Sequence, residues 1–342
     1  MATIREVAKI AGVSIASVSR VLNHPETVSP EKRTTIERVM NDLGFSPNGS
    51  ARSLALNKTS TIALIVPNIL NPIYPEIAKG VEDIIYRRGY NLLFCNTDLD
   101  PQKEKNYLDT FLGRRVDGLI LVGGFVFSED IYKIQNQKIP LVLIGRKIPE
   151  IQENSVYVDF ELGGYLATKH LLDLGHPNVA FIAGPEREAM DRDKQMGYRR
   201  ALKEKNIPPR DDYVVQGNGE IEGGYLCAKT LMRNRNPPRA IFAANDLMAI
   251  GALDAIKDLS LRIPEQVAIV GFDNIKMSAL VDPKLTTVSY PAYRMGALAA
   301  RLLFDTIDSK NIDGKPREIH LQVELKIRKS CGHTGRVQEI FS

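Results

Sequence analysis

The sequence predicts an α/β protein, with a small all-α helix-turn-helix headpiece followed by two doubly wound subdomains built on parallel sheets. Two patterns predict this architecture. The first 60 residues carry three consecutive amphipathic helix patterns. The remainder alternates short apolar runs with amphipathic stretches, as repeated βαβ units do. The chain of 342 residues also exceeds the length of one typical domain.

The composition is that of an ordinary globular protein. Apolar residues make up 44% and charged residues 25% of the chain, which excludes collagen-like architecture and wholesale disorder. No apolar run approaches the length of a membrane helix. Arg5, Glu6 and Lys9 stand where a secretory signal needs apolar residues, and the 3 cysteines form no CxxC pair. We therefore expect a cytoplasmic protein without membrane contact, disulfide framework, metal or cofactor.

Capping residues and glycines delimit the headpiece helices. Thr3 suits the N-cap of a helix that Gly12 terminates, and Ser14 suits the N-cap of the next helix. Two short helices joined by so tight a turn form a helix-turn-helix arrangement. A third helix is expected between its cap, Ser29, and Gly44.

The outward face of the second helix indicates DNA binding. Ile15 and Ala16 place apolar groups at its exposed start, where they can contact a thymine methyl in a major groove. Arg20 on the same face can donate two hydrogen bonds to guanine. Residues 1–60 hold eight basic and five acidic side chains, an excess that suits a polyanion. The alternative is a helical domain in which Ile15 packs against a neighbour.

The headpiece sequence resembles the N-terminus of the LacI/GalR family of transcriptional repressors. The resemblance is carried by TIREVAKIAGVSIASVSRVLN at residues 3–23, and by PN and ARSL within residues 47–54, which are similar to the family's hinge. It implies that the second helix reads base edges through Ile15, Ala16 and Arg20. It also implies contacts to phosphates that set the register on DNA. The residues expected to make these contacts, or to share the outward face, are Thr3, Ser14, Ser17, Ser19, Asn23, Thr27 and Ser29.

The hinge resemblance assigns roles to Leu54 and Ala51, and the position of Asn48 after a proline adds a helix cap. Leu54 is the wedge that enters the minor groove at the operator centre and kinks the duplex. Ala51 lies beside it, because only a small side chain fits there, and Asn48 caps the hinge helix. So short a segment does not hold a helix alone, and we expect it to order when DNA holds it. Gly49 departs from many family members, and its backbone entropy weakens this coupling.

The rest of the chain predicts buried parallel strands. Near-continuous apolar runs bounded by Gly, Pro, Asn or Asp are typical of sheets covered on both faces. The runs lie at 62–66, 91–95, 118–122, 141–144, 179–183, 214–216, 240–244 and 267–270. The predicted boundaries are 1–46 for the headpiece, 47–60 for the hinge helix and linker, 61–161 with 291–322 for the N-terminal core subdomain, and 162–290 with 323–342 for the C-terminal one.

Polar residues after these strands are candidates for ligand binding, because such sheets bind ligands at the carboxyl ends of their strands. The resemblance adds that the core is similar to periplasmic binding proteins and closes on a small effector. Arg192, followed by Gly197-Tyr198, resembles the family's effector-clamping arginine, and Asp273 resembles its hydroxyl acceptor. Asp246 and Asp273 have a structural alternative as helix caps or turn residues. The predicted effector-binding residues are Asn71, Tyr74, Arg146, Arg192, Asn245 and Asp273.

Two departures from the family pattern bear on the effector. Gly219 stands where many members have an aromatic platform, which disfavours a planar purine. Gly145 stands where many have aspartate, which removes a hydroxyl acceptor, and the neighbouring Arg146 favours an anion. We therefore expect a sugar, sugar acid or sugar phosphate.

The predicted function is a repressor that binds a pseudo-palindromic double-stranded DNA operator as a homodimer and responds to this effector. One alternative is a catabolite-control regulator that takes a phosphorylated carrier protein on a basic surface around Arg301, although Asp305 stands one turn later. An enzyme lacks support, since no P-loop, GxGxxG, GxSxG or HExxH motif occurs. A cytoplasmic sugar-binding or sugar-modifying protein, or an exported solute-binding protein, leaves residues 1–60 unexplained.

Overall fold

The computed structural model describes residues 2–45, 58–124, 128–145, 153–185, 189–308 and 315–333. They belong to two compact units, Met1–Ser60 and Thr61–Ser342. The described part of the first unit is helical, and the second unit contains two six-stranded sheets with helices between their strands. The predicted α/β class is therefore confirmed. No helix within the described ranges is long and apolar enough to cross a lipid bilayer.

The headpiece packs three helices around one small core. The helices are α1 (Ile4–Ile10), α2 (Ile15–Asn23) and α3 (Pro30–Asp42). Thr3 and Glu6 form a reciprocal capping box, and the Ser14 hydroxyl accepts a hydrogen bond from the Ser17 amide. Gly12 adopts a φ of 64° in the turn between α1 and α2, a conformation that favours glycine. The buried residues are Val7, Ala8, Val18, Val21, Ile36 and Val39.

The predicted cap of the third helix is only partly correct. Ser29 occupies the N-cap position of α3, but its side chain makes no capping hydrogen bond. Pro30 takes the first helical position, where its missing N–H removes one of the donors that a cap would satisfy. The helix ends before Gly44 as predicted, with a glycine φ of 57°.

The first sheet of the core is wholly parallel. Its order is β11-β5-β4-β3-β1-β2, so the chain enters at an inner strand and winds outward in both directions. The strands are β1 (Thr61–Val66), β2 (Asn91–Asn96), β3 (Gly118–Val122), β4 (Leu141–Ile144), β5 (Asn154–Val158) and β11 (Glu318–Leu321).

The second sheet repeats this winding. Its order is β12-β10-β9-β8-β6-β7, parallel except for β12, which runs antiparallel to β10. The strands are β6 (Val179–Ala183), β7 (Val214–Gln216), β8 (Ala240–Ala243), β9 (Ala268–Asp273), β10 (Thr286–Ser289) and β12 (Glu324–Lys326).

Helices cover both sheets. They are α4 (Ile73–Arg87), α5 (Pro101–Arg114), α6 (Ser128–Asn136), α7 (Phe160–Asp173), α8 (Ala189–Glu204), α9 (Ile221–Met232), α10 (Asp246–Asp258) and α11 (Ala292–Ile307). Helices α7 and α8 approach closely through glycines. A Cβ on Gly164 would lie 2.2 Å from the carbonyl oxygen of Lys194, and one on Gly197 would lie 2.0 Å from that of Glu161. This contact fixes which face of α8 is turned inward.

All eight predicted strands are present, and four short strands were not predicted. The missed strands are β5, β10, β11 and β12. Their sequences mix polar and apolar residues, so they lack the apolar runs of the others. Thr286 and Thr287 in β10 are nevertheless fully buried. Burial is possible because the Thr287 hydroxyl donates a hydrogen bond of 2.6 Å to Asp246, a partner that sequence pattern cannot show.

Candidate functional site

Helix α2 exposes the side chains predicted to read DNA bases. Ile15 is 47% exposed, which is unusual for isoleucine, and Ala16 and Arg20 are exposed beside it. The Arg20 guanidinium has no hydrogen bond or ion pair with the part of the chain that the structure describes. Val18 and Val21 on the opposite face are buried in the headpiece core. The helix therefore presents an apolar end and an available guanidinium on one face, as a major groove requires.

Hydroxyl groups surround that face. Those of Ser14 and Ser17 are 3.0 Å apart, and that of Thr27 donates to the His24 carbonyl at 2.7 Å. The predicted phosphate-contact residues Thr3, Ser14, Thr27 and Ser29 are exposed, and Ser17 and Ser19 are half-buried. Asn23 is the last residue of α2. The predicted hinge residues Asn48, Ala51 and Leu54 lie outside the described residues, and so does Arg146.

In the core, two predicted effector residues meet between the sheets. Asn71 follows β1 of the first sheet, and Asp273 ends β9 of the second. The Asn71 side-chain amide donates a hydrogen bond of 3.2 Å to Asp273 Oδ2, across 202 residues of chain. The Asn71 carbonyl oxygen accepts from the Ile73 amide at 3.1 Å, so the same side chain holds the start of α4. Both side chains are buried.

The Asp273 carboxyl group is held in an unusual environment. Its Oδ1 accepts a hydrogen bond from the Tyr290 hydroxyl at 3.1 Å. Burial raises the pKa of Asp273 from 3.8 to about 6, against the lowering effects of the Lys194 ammonium and the hydrogen bonds from Asn71 and Tyr290. Asp273 also has a φ of 107°, a strained conformation for a residue with a side chain. Strain and burial of this kind are typical of functional sites.

Asn245 and Asp246 have structural roles at the carboxyl end of β8. Asn245 caps α10 by accepting from the Met248 amide, and its own amide donates to the Gly219 carbonyl at 2.8 Å. Asp246 accepts from Thr287 at 2.6 Å and from the Ile275 amide at 2.9 Å. Burial, followed by the nearby Asp273, raises the pKa of Asp246 well above its usual value. The cap of α10 is therefore Asn245 and not Asp246, for which a cap was the alternative, and both polar atoms of the Asn245 side chain are engaged.

The buried cation near Asp273 is Lys194, which the sequence prediction missed. Arg192, the predicted clamp, is exposed on α8. Lys194 donates hydrogen bonds to Asp191 Oδ1 at 2.9 Å and to the Ala244 carbonyl at 2.8 Å. Helical spacing could have indicated it, because the inward residues of α8 recur every three or four positions. These are Asp191, Lys194, Tyr198, Ala201 and Leu202.

An aromatic cluster lies under this polar group. Phe160, Phe272 and Tyr290 contact one another with ring centroids 5.8–6.0 Å apart. The Lys194 ammonium lies 4.5 Å from the centroid of Phe272 and 5.6 Å from that of Phe160, within the range of cation–π attraction. Apolar walls with a few converging polar groups are the usual composition of a small-molecule site.

Two other predicted positions also lie near this region. Tyr74 is buried in the first turn of α4. Gly145 ends β4 of the first sheet with a φ of 71°, and a Cβ there would come within 2.8 Å of Met190 Sδ. Met190 belongs to α8, which packs on the second sheet. The missing side chain of Gly145 therefore permits a close contact between the two halves of the core.

Comparisons with known proteins find matches in both the headpiece and the core. Residues 3–48 match the family described as bacterial regulatory proteins, lacI family, and residues 168–331 match a periplasmic binding protein-like domain. Catabolite control protein A of Priestia megaterium is 37% identical over 325 residues, which cover 95% of this chain and 98% of that protein.

Two solved structures extend the similarity to three dimensions. The complex of transcriptional regulator CelR with cellobiose has a TM-score of 0.73 and 30% identity, and the match covers 96% of this chain and 100% of that one. The lac repressor dimer bound to operator and the anti-inducer ONPF has a TM-score of 0.84 and 25% identity, with 96% and 99% covered. Both matches therefore include headpiece and core.

Proposed function

This chain belongs to the LacI family of bacterial regulatory proteins, and we propose that it represses transcription by binding a pseudo-palindromic operator as a homodimer. The helix-turn-helix headpiece and the effector-binding core are those of a DNA-binding transcriptional regulator. Each chain carries one recognition helix, so a two-fold operator needs two chains. The lac repressor structure, which is similar over 96% of this chain, is itself a dimer on its operator.

The effector site that we propose lies between the two sheets. The observation that supports it best is the hydrogen bond of 3.2 Å from Asn71 to Asp273, which joins the carboxyl ends of β1 and β9. A ligand with hydroxyl groups can compete for the same carboxylate and amide. We infer a sugar or sugar derivative, which the similarity to a regulator bound to cellobiose supports. Tyr74, Arg146, Arg192 and Asn245 remain further candidates for contact.

The switch that we infer runs from this site through the hinge. Effector binding alters the closure of the core halves, with boundaries at 161/162, 290/291 and 322/323, and the hinge at 47–60, most of which lies outside the described residues, passes the change to the headpiece. The chain would act on bacterial DNA in the cytoplasm. We also infer that it catalyses no reaction, because its relatives are regulators.

We do not favour a phosphorylated carrier protein as the co-regulator. Arg301 lines a surface cavity of about 420 Å³ together with Arg87, Arg88 and Asp305. The Asp305 carboxylate pairs with Arg317 at 3.0 Å. Three arginines outnumber this carboxylate, so the cavity itself does not argue against a phosphoryl group. We prefer a small-molecule effector because a similar regulator is bound to cellobiose.

Selection of DNA fragments tests the recognition helix. Purified full-length protein is mixed with sheared genomic DNA, and the retained fragments are sequenced. We expect the retained fragments to share a pseudo-palindrome, and Arg20→Ala to abolish their enrichment because a bidentate guanine contact is lost. Arg38→Ala is the matched control, since it removes the same charge from an exposed site on α3. Equal loss in both variants would contradict base reading by α2.

A second experiment tests the effector site by measuring operator affinity with fluorescence anisotropy, with and without each candidate sugar. Coupling between two such sites is typically ~1–3 kcal/mol, so a true effector should change the dissociation constant about 5–150-fold. Asp273→Ala should remove the change in affinity on adding the sugar, whatever the effector-free affinity of the variant. A response that persists in this variant would place the effector outside the cleft between the sheets.

A further inference from the structure

We propose that the core selects an uncharged sugar over sugar acids and sugar phosphates, because a buried pair formed by Lys194 and Asp191 cancels the positive charge that an anion would need. This inference rests on the proposed effector site between the sheets. It narrows the ligand class and identifies two residues, neither of them among the predicted contacts, as determinants of specificity.

The donors of Lys194 are engaged by the protein. Its ammonium group forms an ion pair of 2.9 Å with Asp191, and donates to the Ala244 carbonyl at 2.8 Å. The Lys194 and Asp191 side chains are only 7% and 10% exposed. A buried pair of this kind is costly to break, since either partner alone would be an uncompensated charge. The ammonium is therefore not available as a free anion clamp.

The end of strand β6 leaves room for the Asp191 carboxylate. Gly184 follows β6, and a Cβ on it would lie 1.6 Å from Asp191 Oδ2. Only glycine leaves room for the carboxylate at this strand end. Asp191 thus reaches the carboxyl edge of the second sheet, where Ala244 follows β8 and Asp273 ends β9.

The charge balance at this edge then disfavours an anion. Among the described buried residues around the second sheet, two cations, Lys194 and Arg328, are accompanied by three carboxyl groups, those of Asp191, Asp246 and Asp273, so the acids outnumber the bases. Arg192 lies in the same turn of α8 but is exposed. In a site shielded from water, a carboxylate or phosphate placed beside Asp273 is repelled more strongly than in solution. A hydroxyl group, by contrast, can donate to Asp273 and accept from the Asn71 amide.

Calorimetric titration of the full-length protein with matched probes tests this selection. The pairs are ribose and ribose phosphate, glucose and gluconate, and cellobiose and cellobionate. We expect at least one neutral probe to bind, and its charged counterpart to bind at least about tenfold more weakly. A charged probe that binds as well as its neutral counterpart would overturn the inference while leaving the proposed site standing. If no probe binds, or if Asp273→Ala leaves binding unchanged, both the inference and the proposed site are wrong.

Two variants test whether the ion pair is the cause of the preference for neutral ligands. Asp191→Asn removes the ion-pair partner of Lys194, so the ratio of charged to neutral affinity should rise at least about tenfold. The double variant Asp191→Asn with Lys194→Met is neutral again, and should keep the ranking of the native protein even if the single variant folds poorly. An unchanged ratio in the folded single variant would overturn the inference. So would a native protein that prefers anions and loses that preference in Arg146→Met.

Discussion

Replacement of Asn71 by alanine should loosen the contact between the two halves of the core. The Asn71 amide donates to the Asp273 carboxyl at 3.2 Å, and its oxygen accepts from the buried Ile73 amide at 3.1 Å. A buried hydrogen bond to a charged group contributes ~1.5–3 kcal/mol, and an ordinary hydrogen bond such as that to the Ile73 amide about 1 kcal/mol. Because water cannot readily replace either partner, we expect a loss of roughly 2–4 kcal/mol in the free energy of unfolding.

The loss should also depend on pH. The native pKa of Asp273 is about 6, and the hydrogen bond from Asn71 lowers it. Without Asn71 the pKa must rise, so the variant is penalised most where Asp273 is ionised in the native protein. The measurement is urea unfolding at about pH 8 and about pH 5, with the larger loss expected at the higher pH.

Asn68→Ala is the matched control for this experiment. Asn68 lies in the same loop, and its side chain only accepts from the Leu70 amide at 2.8 Å. It has no described hydrogen bond to the second sheet. Equal losses for the two variants, or a loss at Asn71 that does not change with pH, would refute the reasoning.

Three further changes have defined outcomes. Ser14→Ala should destabilise the headpiece by about 1 kcal/mol because the cap of α2 is lost, and thermal unfolding followed by circular dichroism would show it; an unchanged headpiece transition would argue against the cap. The native protein should lose up to roughly 3 kcal/mol of unfolding free energy as pH rises from about 4 to about 6, because the pKa of Asp273 is higher in the folded than in the unfolded chain. Asp273→Asn should abolish this loss, and parallel pH profiles of the two proteins would disprove it. Gly164→Ala should cost ~1–3 kcal/mol by forcing its Cβ against the Lys194 carbonyl, whereas Gly113→Ala, with open space around it, should be neutral or stabilising in denaturant titrations. Similar effects at both glycines would contradict the close packing of α7 on α8.

The sequence determines much of the fold because its strands and caps are local signals. Eight strands are recognisable as apolar runs, since parallel strands covered on both faces have no polar side. The Thr3 and Ser14 caps and the Gly12 turn depend on neighbouring residues alone. By contrast, strand β10 can be buried because the Thr287 hydroxyl donates a hydrogen bond to Asp246, which lies 41 residues away in the sequence. No local pattern reports such a partner.

The candidate site also combines features that the sequence predicts with features that only the structure shows. Asn71 and Asp273 are predictable as polar residues at strand ends, but the sequence does not show that they meet across 202 residues. The choice between Arg192 and Lys194 depends on helix orientation. Arg192 and Lys194 are two positions apart on one helix, and such side chains point about 200° away from each other. One of them therefore faces solvent when the other faces the core. The contact of α7 with α8 through Gly164 decides which one is buried, because only the assembled helices define an inward face.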